Sequence, residues 1–123
     1  MMEQSRIEAC AGLVERGDPD RFLAAMAAPV AARGPLFTLY AFNLEVARAP
    51  WVTQEPLIAR MRLQFWRDVV EGAVAGERAQ AHDVAGPLAA LIKERGLPGF
   101  LFDQMIDARE TDIEHVPFAD TMA

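Results

Sequence analysis

The chain has 123 residues, a hydrophobic fraction of 52% and a net charge of −6, with one lysine (Lys93) and eleven arginines. That length fits one domain or part of one, and that apolar content argues against disorder. The basic residues alternate with acids instead of forming a block, which disfavours nucleic-acid binding. A single cysteine, Cys10, excludes an intramolecular disulfide and a cysteine-cluster zinc site.

Alanine, leucine and arginine dominate and strand formers are few, so the expected class is all-α. The first residues, MMEQSRIEAC, lack the apolar core of a signal peptide, and no run reaches the ~20 apolar residues that cross a bilayer. The default location is the cytoplasm, at most peripheral to a membrane.

In chain order, Ile7, Cys10, Ala11 and Val14 repeat at helical spacing and predict a helix over Ser5 to Glu15. Arg16-Gly17 reads as its end, with Gly17 suited to a left-handed cap. Asp18-Pro19 opens a second helix as N-cap and first residue, with Phe22, Leu23, Met26 and Ala27 as its inner face. Pro29 should break that helix or start a short turn ending at Arg33-Gly34.

A third helix is expected from Pro35 to Ala49-Pro50. Its residues Leu36 to Ala47 are apolar nearly all round, so it should be buried on several sides. Glu55-Pro56 then opens a fourth helix, ending near Glu71-Gly72 or Ala75-Gly76. Ile58, Met61, Phe65 and Val69 form its expected inner stripe with Leu57 beside them, while Arg60, Arg67 and Glu71 face water. A polar connection over 76–83 leads to a fifth helix, Val84 to Arg95, stopped by Gly96. Pro98 opens a sixth that runs to about His115, and Pro117 ends it. The final FADTMA reads as the start of a further element. Six helices with short connections give a bundle-like or orthogonal α fold.

Several groups carry candidate chemistry. Asp103, Asp107, Glu110 and Glu114 share one helical face, and Asp103 with Asp107 spells D-x-x-x-D. Such a pair either binds Mg²⁺ beside phosphate oxygens or forms a solvated acidic face relieved by Arg109. Arg48, Arg60, Arg62 and Arg67 either form an anion site or lie on the surface. Arg62 and Trp66, four apart, are spaced to stack. Trp51 and Trp66 read as core or interface anchors, and the Tyr40 hydroxyl needs a partner such as Asn43 or a ligand. His82 and His115 lack ligand-spaced neighbours. No Gly-rich phosphate loop and no Ser/His/Asp or Cys/His set is present.

The order of segments DRFLAAMAAPVAARGPLFTLYAFNLEVARA, EPLIARMRLQFWRDVVEG and LPGFLFDQMIDARETDIE resembles the squalene/phytoene synthase family from about Asp18 onward. These are the head-to-head, all-α isoprenoid synthases. The resemblance implies residues 1–123 as the N-terminal part of such a domain, a partial helical bundle of about six helices. It implies a transferase of isoprenoid biosynthesis that condenses two prenyl diphosphates, with Mg²⁺ held by two aspartate-rich motifs.

The first motif would fall on Ala47, Arg48 and Trp51, none of them acidic, and the second would lie beyond Ala123. A serine of the family's diphosphate-binding segment is replaced by Arg21, beside Phe22. Tyr40 matches a pocket tyrosine, and Asp107 and Asp112 match acidic positions of a later helix. By resemblance, then, substrate contacts fall to Arg21, Phe22, Tyr40, Arg48 and Asp107, with no catalytic or metal-binding residue assigned.

A guanidinium cannot ligate Mg²⁺, although it can attract a diphosphate. The pattern resembles a divergent branch of the family that includes a mitochondrial complex I assembly factor and has lost the aspartate motifs. Two readings follow. One is a family protein with a degenerate active site that retains prenyl diphosphate or lipid as ligand, with Mg²⁺ implied only if the family activity persists. The other is a non-catalytic binding or assembly protein with a protein partner or a second copy of itself. The open bundle leads to the expectation that the chain alone aggregates or dimerises.

Overall fold

A computed structural model describes residues 2–78 and 80–115. The expected Pro117 stop, the FADTMA segment and the side chains of Glu114 and His115 lie outside what it describes. Among the described residues there are six helices and no strand: α1 Met2–Gly17, α2 Pro19–Ala27, α3 Val30–Arg48, α4 Pro56–Val74, α5 Ala85–Arg95 and α6 Gly99–His115. The all-α expectation holds.

The organising element is α3, which packs against each of the other five helices. Its side chains Phe37, Ala41, Phe42 and Val46 are buried, as the nearly continuous apolar sequence requires. Phe42 is fully buried and meets Trp66 of α4 and Phe102 of α6 edge-on, both with centroids 5.5 Å away. Three helices are thus locked around one ring in the arrangement aromatic quadrupoles favour.

The start of α3 corrects the sequence reading. Pro35 lies inside the helix instead of opening it, and the helix begins five residues earlier, after Pro29. A proline here removes the N–H that would bond to the carbonyl of Ala31, and interior prolines cost about 3 kcal/mol. Ala31 is an exposed residue, so water can replace the lost donor. The opening turn is held by local bonds as well. Ala32 N–H donates to the Pro29 carbonyl at 2.8 Å, and Arg33 Nε donates to the Ala28 carbonyl at 3.4 Å. Buried Thr38 donates its hydroxyl to the Gly34 carbonyl at 2.9 Å, and among the described residues no buried side-chain nitrogen or oxygen lacks a partner.

Helix caps follow the sequence signals. Asp18 caps α2 by accepting the Arg21 N–H at 3.3 Å, with Pro19 at the first position. Gly96 ends α5 with φ +61°, the left-handed cap that a residue without Cβ adopts cheaply. Gly17 is different. It does not adopt positive φ, but a Cβ there would sit 2.9 Å from Leu44 Cδ1. Its glycine permits the close approach of α1 to α3 instead of a left-handed cap.

Two inner faces are also corrected. In α2 only Ala25 is buried and Phe22 half-buried, while Leu23, Met26 and Ala27 are exposed. In α4 the buried stripe is Ala59, Leu63, Trp66, Val70 and Ala73, with Val69 at its edge. Leu57, Ile58 and Met61 are exposed, and Phe65 is half-buried. This helix carries two apolar stripes. The fold uses the one with small alanines at its ends, where helix backbones can approach closely.

Candidate functional site

The last turn of α3 leads into a tight reversal in which the N–H groups of Trp51 and Val52 both donate to the Arg48 carbonyl, at 2.8 and 3.0 Å. This reversal sets Glu45, Arg48, Ala49 and Val52 opposite Arg62, Phe65 and Trp66 of α4. His82, from the connection before α5, closes one side. The pocket they line has a volume of about 330 Å³.

His82 has a structural task. Its Nδ1 accepts the N–H groups of Val84 and Ala85 at 3.0 and 3.1 Å, satisfying donors at the start of α5. The neutral ring therefore carries its proton on Nε2. The imidazole also packs edge-on against Trp66 at 5.5 Å and tilted against Phe65 at 5.4 Å.

The pocket combines two guanidinium groups, one carboxylate and an apolar floor. That set suits an anion with an apolar body. It does not suit Mg²⁺, which requires several oxygen ligands and is repelled by adjacent cations. Among the described residues, no group of three His, Cys, Asp or Glu is placed to hold a metal ion. The ion pairs among the described residues use Arg21, Arg60, Arg67 and Arg109, so Arg48 and Arg62 enter none.

The four arginines considered as one anion site are divided by the helix itself. Arg60 and Arg67 are seven apart and share a face of α4, whereas Arg62 lies about 200° around from Arg60 at ~100° per residue. Arg60 and Arg67 reach toward α6 while their side chains stay 41% and 26% exposed. Arg67 bonds Asp107 at 2.7 Å and Glu110 at 3.3 Å, and Arg60 bonds Glu110 at 3.1 Å. Burial pulls the Arg67 guanidinium pKa down, but the two carboxylates outweigh it and the net shift is upward.

Two acids of the α6 face, Asp107 and Glu110, are thus paired with arginines of α4. Arg109 instead pairs with Asp112 at 2.9 Å. Asp103 and Asp107 do line a common groove, yet Arg67 lines it too.

The residues singled out by resemblance fall in three settings. Arg21, Phe22 and Tyr40 lie together where α2 meets α3. The Arg21 guanidinium sits 5.4 Å from the Tyr40 ring centroid, and Phe22 stacks on Phe37 at 5.6 Å. Arg48 is two helical turns further along α3, a rise of about 12 Å. Asp107 belongs to the α4–α6 ion-pair network. Trp66 is core, and Trp51 is 65% exposed beside the pocket. Glu45, Phe65 and His82 were not expected at a site. Glu45, an acid interrupting an apolar helix, carried a readable signal; His82 carried none.

Cys10 is fully buried in the core, and its thiol donates to the Asp83 carbonyl at 3.4 Å. Burial, then the charges of Asp83 and Glu45, push its pKa up to about 11, while a hydrogen bond with Thr38 acts in the opposite direction.

Comparison with known proteins gives a consistent picture. The squalene/phytoene synthase family model matches residues 14–123. A relative named NADH dehydrogenase (ubiquinone) complex I, assembly factor 6 homolog, from Drosophila melanogaster, is 32% identical over 111 residues, covering 86% of this chain and 33% of the relative. The Homo sapiens protein named complex I assembly factor 6 is 29% identical over 105 residues, covering 85% of this chain and 31% of its own. A Dictyostelium discoideum homolog of the same name is 29% identical over 89 residues, 72% of this chain and 25% of the relative. The chain spans about a third or less of the length of these relatives. No solved structure matches the chain at a significant level.

Proposed function

The chain belongs to the squalene/phytoene synthase family, and on that premise we propose that it is a non-catalytic binding or assembly module built on the family's helical scaffold. We read residues 1–123 as the N-terminal part of such a domain. The observation that carries this reading is the turn ending α3. Where metal-assisted diphosphate ionisation would need carboxylates, Arg48 and Arg62 line the pocket with Glu45 as the lone acid. Mg²⁺ would have no template there, and ionisation of a prenyl diphosphate needs one. The assembly-factor names of the relatives support the same reading.

A second reading is retention of a prenyl diphosphate or lipid ligand without turnover. The two cations over an apolar floor favour it, since guanidinium groups bind phosphate oxygens unaided. A cytoplasmic location, peripheral to a membrane at most, belongs to both readings and is checked by cell fractionation.

The test is incubation of the purified chain with farnesyl or geranylgeranyl diphosphate and Mg²⁺, following pyrophosphate. No release is expected above a no-protein control. Steady, Mg²⁺-dependent release proportional to protein would sink the non-catalytic reading.

A further inference from the structure

On α4, Ile58, Met61, Arg62 and Phe65 stand at i, i+3, i+4 and i+7, which is one face of a helix. This face is not the one the fold buries. Ile58 is 44% and Met61 62% exposed, and Leu57 beside them is 69% exposed. In the α3–α4 connection Trp51 and Val52 are also exposed, and Val52 lines the pocket with Arg62 and Phe65. Five large apolar side chains therefore lie bare within eleven residues of sequence. An exposed apolar cluster of this kind marks an interaction surface.

The charge beside the cluster indicates what it meets. Arg62 lies on the stripe itself, and Arg48 lines the same pocket as Arg62, Val52 and Phe65. Neither forms an ion pair among the described residues, on a chain whose net charge is −6. Against the single carboxylate of Glu45 in that pocket, the two guanidinium groups leave a local positive excess, which complements carboxylates beside an apolar stripe. The stripe from Ile58 to Phe65 spans about 11 Å, two turns of an opposing helix. The 330 Å³ pocket at its end can take one large side chain from that helix.

The discrete pocket at the end of the stripe matches a protruding side chain, which a flat bilayer surface does not present.

We propose that the Ile58–Phe65 face of α4, with Arg48 and Arg62, docks an acidic amphipathic helix of a separate partner protein. The proposal rests on the binding-module reading and names the partner chemistry that reading leaves open. In the contact, an apolar stripe covers Ile58 and Met61, and Asp or Glu residues flanking it pair with the two arginines. This is helix-face recognition, with affinity from burial and selectivity from charge.

The test places a photo-reactive benzoylphenylalanine at Met61 of the full chain, in the cell that makes it, and sequences the cross-linked peptides. A second cross-linker at Val74, exposed on the same helix but outside the stripe, is the control. The expected result is cross-linking at 61 and not at 74 to a segment of another protein with acids flanking an i, i+3, i+7 apolar pattern. Arg48→Glu with Arg62→Glu should lower the yield about tenfold or more, with the circular dichroism melt unchanged because both residues are on the surface. Cross-links at 61 to lipid, to a second copy, to another part of the same polypeptide, to a non-acidic segment or to nothing overturn the proposal, as does a yield indifferent to the charge reversal. Pyrophosphate release bears on the non-catalytic reading alone, so the two can fail separately.

Discussion

The two stripes of α4 predict opposite outcomes for substitutions two residues apart. Leu63 is fully buried, whereas Met61 is 62% exposed. Leu63→Ala removes three carbons from the core; at about 0.8 kcal/mol per buried methylene the transfer loss is ~2.4 kcal/mol. The unfilled space adds a further cavity cost, so the total should fall at about 2.5–5 kcal/mol. For a chain of this length total stability is on the order of 6–18 kcal/mol at ~0.05–0.15 per residue. Loss of Leu63 should therefore be plain in a urea titration followed by circular dichroism. Met61→Ala should change stability by less than about 0.5 kcal/mol. A large loss at Met61 with a small one at Leu63 would refute the assignment of the inner face and remove the basis for the docking surface.

Other outcomes follow from single contacts. Arg67→Ala breaks the pairs with Asp107 and Glu110; since Asp107 is 64% exposed, the cost should be only about 1 kcal/mol and should shrink in 1 M salt. Gly96→Ala meets no steric neighbour but must adopt φ +61°, so it should cost about 1 kcal/mol in the same titration. Cys10 should resist a thiol reagent in the native chain and react once urea unfolds it. Its pKa, raised from 9.0 to about 11, makes the folded state favour the neutral thiol. That stabilisation is full below pH 9 and is lost as pH rises through 11, so the urea midpoint should fall across this window. Cys10→Ala should flatten the fall.

Much of the fold was legible in the sequence because its signals are local. Asp18-Pro19, Glu55-Pro56 and Gly96 mark helix ends by backbone chemistry that needs no tertiary partner. The buried length of α3 was legible because one helix apolar on all sides has few alternatives. Pro35 misled because the carbonyl it leaves without a donor belongs to exposed Ala31, where water can take the place of the lost N–H. The face of α4 was not legible for a related reason. Ile58, Met61 and Phe65 satisfy helical periodicity as well as Ala59, Leu63 and Trp66 do, and only packing decides between them. At the pocket, Arg48 and Arg62 could be named as cations, but their separation from Arg60 and Arg67 depends on which side of α4 meets α6.

The non-catalytic reading requires that the turn ending α3 hold no divalent metal. It is tested most directly by titrating Mn²⁺, a paramagnetic stand-in for Mg²⁺, into the chain with methylenediphosphonate present as an inert diphosphate. Free Mn²⁺ is read by electron paramagnetic resonance. The expected free-Mn²⁺ curve matches that of diphosphonate alone, with no additional ions held per chain. Stoichiometric uptake of one or more ions per chain, weakened by Glu45→Gln, would contradict it.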